Sequence, residues 1–227
     1  MLVGWAAFCA GPLLAYLGVV PALVGFLVFA LGGLLGLVAL GAGVVALVRG
    51  RAAVPTLVAA LALTTAFVVL AFPGRQYPRI NDITTDPAAP PQFVFALTLP
   101  ANQGRDMAYP GKTFADQQVP AYPDLAPLVI GLPPDEAFTR VETTARKMPT
   151  WELTRVDPAS HRLEAVATSG IFRFQDDIVI EVRPRDGGSA IQMRSKSRDG
   201  KGDLGANAKR IQEFFALLRW SGPASSS

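Results

Sequence analysis

The amino-acid sequence predicts an α+β fold: three N-terminal transmembrane helices followed by a two-layer domain of four antiparallel strands flanked by two helices. Two observations favour it. The first 72 residues carry almost no charge, and residues 133–220 follow the order helix, four short strands, helix. The expected organisation is a transmembrane anchor (1–74), a proline-rich extended segment (75–132), the α+β domain (133–220) and a flexible tail (221–227).

The anchor is predicted from two uncharged stretches. Residues 2–48 contain no charged side chain, and after Arg49 and Arg51 the chain is again uncharged to residue 72. A hydrocarbon core of about 30 Å needs roughly 20 apolar residues in a helix, so the first stretch suits two spans. Gly18 and Pro21, within "YLGVVP", mark the expected break. The expected spans are 2–17, 22–48 and 53–72, of which the first is short enough to be re-entrant or tilted instead.

Arg49 and Arg51 determine the expected orientation. No other charged residue occurs among the first 74, so the positive-inside rule places their loop in the cytoplasm. The third span then leaves the membrane on the opposite side, and we expect the chain after Arg75 to lie outside the cytoplasm. A cleaved signal peptide is disfavoured, because residues 1–5 carry no Lys or Arg and the apolar run is too long.

The positive net charge comes from the anchor alone. Of the 21 basic residues, three lie in the first 75, which contain no acidic residue, so the remaining 18 balance the 18 acidic residues. The domain therefore has no basic excess suited to nucleic acid, and no nucleic-acid partner is expected. The single cysteine, Cys9, excludes an internal disulfide, and Phe8 before it argues against lipidation.

Small residues in the second predicted span indicate close helix packing. Gly32 and Gly36 are four residues apart, as are Ala39 and Gly43. This spacing lets helix backbones approach one another, and we expect the contact to be among the protein's own spans rather than with a partner.

The middle segment, 75–132, is rich in proline, which fixes φ and donates no backbone hydrogen bond. Most of it is therefore expected to be extended or turning, and either to wrap the domain surface or to serve function directly. Two apolar runs within it, "FVFALTL" (93–99) and "PLVIGL" (127–132), are each interpreted as a short strand or an apolar strap.

The α+β domain is predicted from periodicity. "PPDEAFTRVETTARKM" (133–148) begins with proline and acidic residues and places Phe138, Val141 and Ala145 on one stripe, which is typical of an amphipathic helix. Four strands are expected at residues 151–156, 162–168, 177–183 and 189–197. The last helix is predicted from an apolar stripe formed by Leu204, Ile211, Phe214, Phe215 and Leu218.

Several motifs, in order along the chain, resemble one family. They are "INDITTDPAAPPQF" (80–93), "YPDLAPL" (122–128), "RLEAVATSGIFRFQDDIVIEV" (162–182) and "RSKSRDGKGDLGANAKRI" (194–211). Together they resemble the bacterial domain-of-unknown-function family 1499 over most of residues 79–220, and the preceding spans resemble its membrane-anchored branch. With the orientation above, the expected location is the bacterial inner (cytoplasmic) membrane, multi-pass, with an extracytoplasmic C-terminal domain. The resemblance implies no catalytic residue.

Reactive groups are sparse in this sequence. His161 is the single histidine and lies in a predicted turn, so a solvated residue is favoured over a zinc ligand. Asp176 and Asp177 are adjacent at a strand start and point to opposite faces, which prevents them from sharing a proton or a metal. We interpret them as turn and edge charges. No metal and no cofactor are expected, catalysis is disfavoured, and no catalytic residue is assigned.

A candidate polar cluster lies in "NDITTD". Its members are Asn81, Asp82, Thr84, Thr85 and Asp86. Their oxygen atoms suit calcium or magnesium, but the ligand set is incomplete. Local capping of turns through backbone hydrogen bonds is the favoured interpretation.

A candidate anion-binding site is formed by Arg194, Lys196, Arg198 and Lys201. Alternation places the first three together on the strand face opposite the core, which we expect to be exposed to solvent. Lys201 follows in a glycine-containing loop, and Asp203 is expected to cap the last helix. A helix N-terminus with basic neighbours suits an anion or a lipid headgroup. A structural joint between strand and helix, with Asp203 supplying the negative charge, is favoured.

These observations predict a membrane-anchored extracytoplasmic protein, with a binding or assembly role in the cell envelope favoured. Its expected partners are membrane lipids, with an envelope protein or an anionic ligand as further candidates. Two alternatives stay open. One is an envelope hydrolase or transferase acting on an anionic substrate through the Asp82/Asp86 and Arg194/Arg198 regions. The other is a lipid-handling module with an apolar cavity between sheet and helices.

Overall fold

The computed structural model describes residues 1–51, 53–71 and 76–220. The chain forms two compact units. The helical unit comprises Met1–Gln76 and Ser169–Phe174, and the sheet unit comprises Tyr77–Thr168 and Gln175–Ser227. The predicted flexible tail, 221–227, and residue 72, the predicted end of the third span, lie outside the described residues.

The helical unit contains three apolar helices at the positions of the three predicted spans. They are α1 (Leu2–Tyr16), α2 (Ala22–Val48) and α3 (Val54–Ala71). α2 and α3 are long and apolar enough to cross a membrane. α1 has 15 residues and a length of about 22 Å, which falls short of a hydrocarbon core of about 30 Å. The described part of the chain therefore holds two candidate spans rather than the three that we predicted.

Glycines allow these helices to pack closely. A side-chain carbon added at Gly32 would overlap the backbone of Phe8 in α1, and one added at Gly36 would press against Leu63 in α3. The two glycines thus face different neighbours from the same helix. The prediction that they pack against the protein's own helices is confirmed.

The sheet unit is built on an antiparallel sheet of six strands. The strands are β1 (Asp82–Thr84), β2 (Leu128–Ile130), β3 (Trp151–Asp157), β4 (Arg162–Thr168), β5 (Gln175–Arg185) and β6 (Gly188–Ser197). Their order is β1–β6–β5–β4–β3, and β2 also pairs with β6. The predicted four-stranded meander is confirmed in β3 to β6. The sheet has six strands rather than four, because β1 and β2 pair with successive parts of β6.

β1 and β2 both come from outside the predicted meander. β2 lies within "PLVIGL", where a strand is one of the two predicted structures. β1 lies within the polar cluster, where no apolar alternation indicates a strand. Its outer edge is closed by α4 (Lys112–Ala121): the side chain of Gln118 accepts a hydrogen bond from the N–H of Thr84 at 3.0 Å and donates one to its carbonyl at 2.7 Å. An amide side chain therefore satisfies the backbone of a very short strand.

Two helices cover one face of the sheet. α5 (Pro134–Ala145) and α6 (Ala206–Trp220) pack on the strands through one apolar core, as predicted. Ile178, Met193 and Phe214 are fully buried in it. Leu204 departs from the predicted stripe, because it precedes α6 with a positive φ of 53° and is 56 % exposed.

An irregular segment covers the opposite face. We call residues 85–111 the strap, which contains two 3₁₀ turns, Ala96–Thr98 and Pro100–Asn102. Phe93, Ala96 and Met107 of the strap pack with Val179 of β5. The run "FVFALTL" is thus part of a strap, the second of its two predicted structures. Both faces of the sheet are covered as a result.

Candidate functional site

The strap face of the sheet holds a layer of charged side chains. The register of β6 against β1 sets Lys196 opposite Asp82 and Arg194 opposite Thr84. The prediction that the basic side chains share the face opposite the helices is confirmed. The expectation that this face is open to solvent is wrong, because the strap covers it. Arg194 is 0 % exposed and Lys196 is 7 % exposed.

The guanidinium of Arg194 is bonded on several sides within the protein. Its Nε and Nη2 donate to the two carboxylate oxygens of Asp82 at 2.8 and 2.7 Å. Nη1 also donates to the carbonyl of Pro91 at 3.2 Å, and Nη2 to the carbonyl of Met107 at 2.8 Å. The forked pairing with Asp82 is the strongest arrangement of arginine and carboxylate. Arg194 thereby links β6, β1 and two separate parts of the strap.

Two aromatic rings of the strap lie against the same cation. The guanidinium carbon of Arg194 is 4.8 Å from the centre of the Phe93 ring and 5.5 Å from that of Tyr109. Both distances suit cation–π attraction. Burial, and secondarily the charge of Asp82, raises the pKa of Tyr109 to about 12. Tyr109 therefore stays neutral near the ion pair at physiological pH.

Asp82 also binds a second cation. The Nζ of Lys196 lies 2.9 Å from the same Oδ2 that accepts from Arg194. Asp82 itself is 0 % exposed. Both cations that sequence alternation brings together are thus already bound to a carboxylate of the protein.

Asp177 forms a second ion cluster on this face. The Nη2 of Arg198 lies 2.7 Å from its Oδ1, and the Nη1 of Arg105 in the strap lies 3.3 Å from its Oδ2. Arg105 also donates to the carbonyl of Ser197 at 2.8 Å. Asp176 points to the other face, as predicted, and pairs there with Arg210 at 2.5 Å. The interpretation of the two aspartates as turn and edge charges is wrong, since both are buried and paired.

A third buried carboxylate binds the backbone of the strap. Glu164 of β4 accepts the N–H groups of Val94 and Phe95 at Oε1, at 2.8 and 2.9 Å, and that of Ala96 at Oε2, at 2.7 Å. These donors stand at the start of a 3₁₀ turn and have no partner within it. We call the buried and half-buried charges of this face the ion layer: Asp82, Arg105, Glu164, Asp177, Arg194, Lys196 and Arg198.

The candidate polar cluster is used for bonds within the protein. Asn81 donates to the carbonyl of Gly200 at 2.7 Å, and the hydroxyl of Thr85 accepts the N–H of Met193 at 3.0 Å. Asp86 accepts the N–H groups of the next turn of chain at 3.1 and 3.0 Å. Across residues 1–51, 53–71 and 76–220, no group of three or more His, Cys, Asp or Glu side chains is placed to hold a metal. Capping and cross-strand bonding, the favoured interpretation, describe these contacts.

The loop before α6 supplies its own negative charge. The carboxylate of Asp203 accepts the N–H groups of Gly205 at 3.0 Å and Asn207 at 2.9 Å, so its predicted capping role is confirmed. Burial raises the pKa of Asp203 above its ordinary value of 3.8. Lys201 is exposed and lies outside the ion layer. Anion binding by the four basic residues stays a prediction, with three of them paired to carboxylates.

Several members of the site carry no strong signal in the sequence. Glu164 is the exception, because it stands alone in the apolar run "LEAVAT", and a lone charge in such a strand indicates a buried partner. Arg105 and Tyr109 lie in a segment without periodicity, where no pattern points to a face or a partner. Their roles follow from the path of the strap, which spacing does not reveal.

An open cleft of about 340 Å³ lies where the strap meets the β3–β4 turn. It is lined by Val94, Phe95, Thr98, Arg155, Asp157, Ser160, Arg162 and Glu164. Arg162 pairs with Glu181 at 2.7 Å, but its Nε is buried without a hydrogen-bond partner in the described chain. The hydroxyl of Ser160 donates to Asp157 at 2.8 Å and is the main cause of a lowered pKa of Asp157.

Arg155 is the most available charge of the cleft. Its side chain is exposed and makes no hydrogen bond or ion pair among the residues that the structure describes. Together with Arg162 it places two guanidinium groups beside the apolar side chains of Val94 and Phe95. Such a set suits a ligand that combines an apolar part with a carboxylate or phosphate group.

Comparison with known proteins agrees with the extent of this fold. A family model described as "Protein of unknown function (DUF1499)" matches residues 82–218. The match begins at the first residue of β1 and ends within α6, so it includes the whole ion layer. No curated protein matches the chain.

Proposed function

The chain belongs to the DUF1499 family of proteins of unknown function, and we propose that this member is a membrane-anchored binding or assembly module of the bacterial cell envelope. α2 and α3 provide the anchor, and the sheet unit lies outside the cytoplasm. One observation carries the choice of binding over catalysis. The acidic and basic groups that would have formed a catalytic site bind one another beneath the strap.

The ion layer is poorly arranged for catalysis. A catalytic acid or base has to come within hydrogen-bond reach of its substrate. Asp82 has both oxygens bonded to Arg194, and the strap covers the pair. Removing one partner of a buried pair costs about 3–5 kcal/mol, so opening the layer to a substrate is unfavourable. The hydrolase or transferase alternative, which relies on these two groups, loses both of them.

The space between the sheet and its helices is occupied by packed side chains. Ile178, Met193, Ile211 and Phe214 belong to one buried cluster there. Interiors packed in this way leave little room for a guest molecule. This packing disfavours the lipid-handling alternative, which needs a cavity at that place.

The cleft beside the strap is the proposed binding surface. Glu164 lines the cleft and also bonds the strap backbone at Val94 to Ala96. The ion layer therefore fixes one wall of the cleft in position. Arg155 and the Nε of Arg162 are available for an acidic group of a partner. A partner that presents a carboxylate or a phosphate beside an apolar group is the best match.

The orientation of the anchor rests on Arg49 and Arg51. They lie between α2 and α3, and the first 75 residues contain no acidic side chain. The positive-inside rule assigns this connection to the cytoplasm, so α3 leads outward. This assignment is the same whether α1 crosses the membrane or dips into it.

Cysteine labelling tests the orientation. In a Cys9→Ser background, Gln117→Cys is expected to react with an impermeant thiol reagent in spheroplasts. Ala53→Cys is expected to react only after the membrane is permeabilised. Labelling of Ala53→Cys alone in intact spheroplasts would reverse the proposed topology.

Complementation tests the binding surface. In a strain that lacks the protein, Arg155→Gln is expected to fail in restoring the deletion phenotype although it accumulates to the normal level. Exposed substitutions of this kind change stability by less than about 0.5 kcal/mol. Arg185→Gln, at an exposed position outside the cleft, is the matched control. Equal complementation by both variants would remove the cleft from the proposal.

A further inference from the structure

A groove of about 400 Å³ lies at the carboxyl end of α2. It is lined by Gly41, Ala42, Val45, Ala46, Arg49 and Arg51. Its floor is shallow, because a side-chain carbon added at Gly41 would meet no atom within 4 Å. The groove therefore joins an apolar helix surface to two arginines.

The end of the helix brings both arginines to this groove. Gly50 has a φ of 65° and donates its N–H to the carbonyl of Leu47 at 2.9 Å. The N–H of Arg51 donates to the carbonyl of Ala46 at 2.8 Å. This pair of bonds forms a Schellman motif, which ends the helix and reverses the chain at the glycine. Arg49 and Arg51 consequently flank the turn and line one groove.

Neither arginine has a counter-ion nearby in the chain. The first 75 residues contain no Asp or Glu. Within residues 1–51, 53–71 and 76–220, neither guanidinium makes an ion pair or a hydrogen bond, and both residues are exposed. Two positive charges at the end of an apolar helix therefore have to be balanced from outside the protein.

We propose that this groove binds one anionic phospholipid, with its phosphate between Arg49 and Arg51 and the first carbons of an acyl chain along Gly41 to Val45. The inference rests on α2 spanning a membrane, as in the proposed function. Guanidinium groups bind phosphate oxygens through paired N–H donors. Basic residues next to a membrane-spanning helix also attract anionic headgroups.

The shape of the groove separates a binding site from a general attraction to negative charge. Charge alone would hold the loop at an anionic surface whatever the shape of the helix beside it. A bound lipid also needs the open floor at Gly41. Gly41→Leu, which fills the floor and keeps both arginines, therefore distinguishes the two cases.

Native mass spectrometry of the full chain in detergent measures the effect. With palmitoyl-oleoyl phosphatidylglycerol as the probe and the matching phosphatidylcholine as the neutral lipid, we expect the wild type to retain the anionic lipid preferentially. The double variant Arg49→Gln/Arg51→Gln should retain at least about tenfold less of it, because each arginine contributes to headgroup attraction. Gly41→Leu should lower retention several-fold.

Two control variants keep the test specific. Val38→Leu changes an exposed position of α2 that does not line the groove, and Arg79→Gln/Arg185→Gln removes two charges from the sheet unit. Both should retain lipid as the wild type does. Far-ultraviolet circular dichroism establishes that every variant keeps its helices.

Three results would overturn the inference. Equal retention of both lipids by the wild type would refute the site, and unchanged retention by Gly41→Leu would leave only general attraction. Displacement of the lipid by an equal concentration of inorganic phosphate would identify a phosphate site instead. Carbonate extraction separates these outcomes from the proposed anchor, because release of the wild type from membranes refutes anchoring, whereas firm retention without lipid preference refutes the groove alone.

Discussion

The two faces of the sheet are covered in opposite ways. On the helix face, α5 and α6 meet the strands through apolar side chains such as Ile178 and Phe214. On the strap face, a proline-rich segment meets the ion layer. A helix bonds its own N–H and carbonyl groups, so it needs only an apolar surface from the sheet. The strap cannot do so, and charged side chains of the strands bond its backbone instead.

The contacts of two residues carry this contrast. Glu164 accepts three backbone N–H groups of the strap, and Arg194 donates to two of its carbonyl oxygens. Buried charges are expensive unless they are paired and fully hydrogen-bonded. Here the strap completes the bonding of the charges, and the charges complete the bonding of the strap. An irregular cover and a charged face thus require each other.

Replacement of Arg194 should have the largest effect. Arg194→Met leaves Asp82 buried with Lys196 as its remaining cation, and we expect a loss of about 3–5 kcal/mol in the free energy of unfolding. Met193→Leu, one residue earlier and facing the helices, should cost less than about 1.5 kcal/mol. Urea denaturation of the full chain in detergent, followed by near-ultraviolet circular dichroism, measures both. Similar losses for the two variants would contradict the proposed difference between the faces.

Neutralising Glu164 should have a smaller and more local effect. Glu164→Gln keeps one oxygen acceptor but turns an amide group toward backbone donors, which we expect to cost about 1–3 kcal/mol. Hydrogen exchange at Val94 to Ala96 should accelerate before exchange in β4 does. Uniform acceleration throughout the sheet unit would show that the strap does not open separately.

Asp203 provides a test that depends on pH. Its pKa is raised by burial above the ordinary value of 3.8, so the folded chain binds this proton more tightly than the unfolded chain. The resulting stabilisation is complete below about pH 3.8 and is lost as the pH rises through the raised pKa. Asp203→Asn keeps an acceptor for the helix but does not ionise. Its melting temperature should therefore improve relative to wild type between pH 3.5 and pH 7, whereas a parallel pH dependence would refute the assignment.

The smallest effect is expected at Lys201. It belongs to the candidate anion-binding set but is exposed and lies outside the ion layer. Lys201→Gln should change the free energy of unfolding by less than about 0.5 kcal/mol. If phosphate raises the melting temperature of the wild type and Lys201→Gln removes that rise, the predicted anion site gains support near α6. A large loss of stability would instead mean that Lys201 is part of the buried network.

Periodicity predicted the regular part of the sheet unit. The meander β3 to β6 and both covering helices follow from alternation and helical stripes, and the same alternation correctly grouped Arg194 with Lys196. It could not reveal what covers their face. Arg194 and Asp82 are 112 residues apart in the chain, and the strap between β1 and α4 has no repeating pattern. Exposure was therefore wrongly expected where the face itself was right.

The short strands and the span count illustrate the other limits. β1 consists of three residues in a polar sequence and depends on a side-chain partner from α4, so no local pattern indicates it. α1 is apolar throughout, but its 15 residues are too few for a bilayer core. Apolar composition identifies helices of this kind more readily than it identifies spans.

The arrangement of strands at the two sides of the sheet has a consequence for crowding at a membrane. A long, flat, free edge strand can recruit a strand from a neighbouring molecule and begin aggregation. One side of this sheet ends in two separate three-residue strands, β1 and β2, and the other ends in β3, whose register shifts between Leu153 and Arg155. A broken edge and a bulged edge are both poor templates for further strands. Many copies held side by side in one bilayer should thus stay distinct molecules.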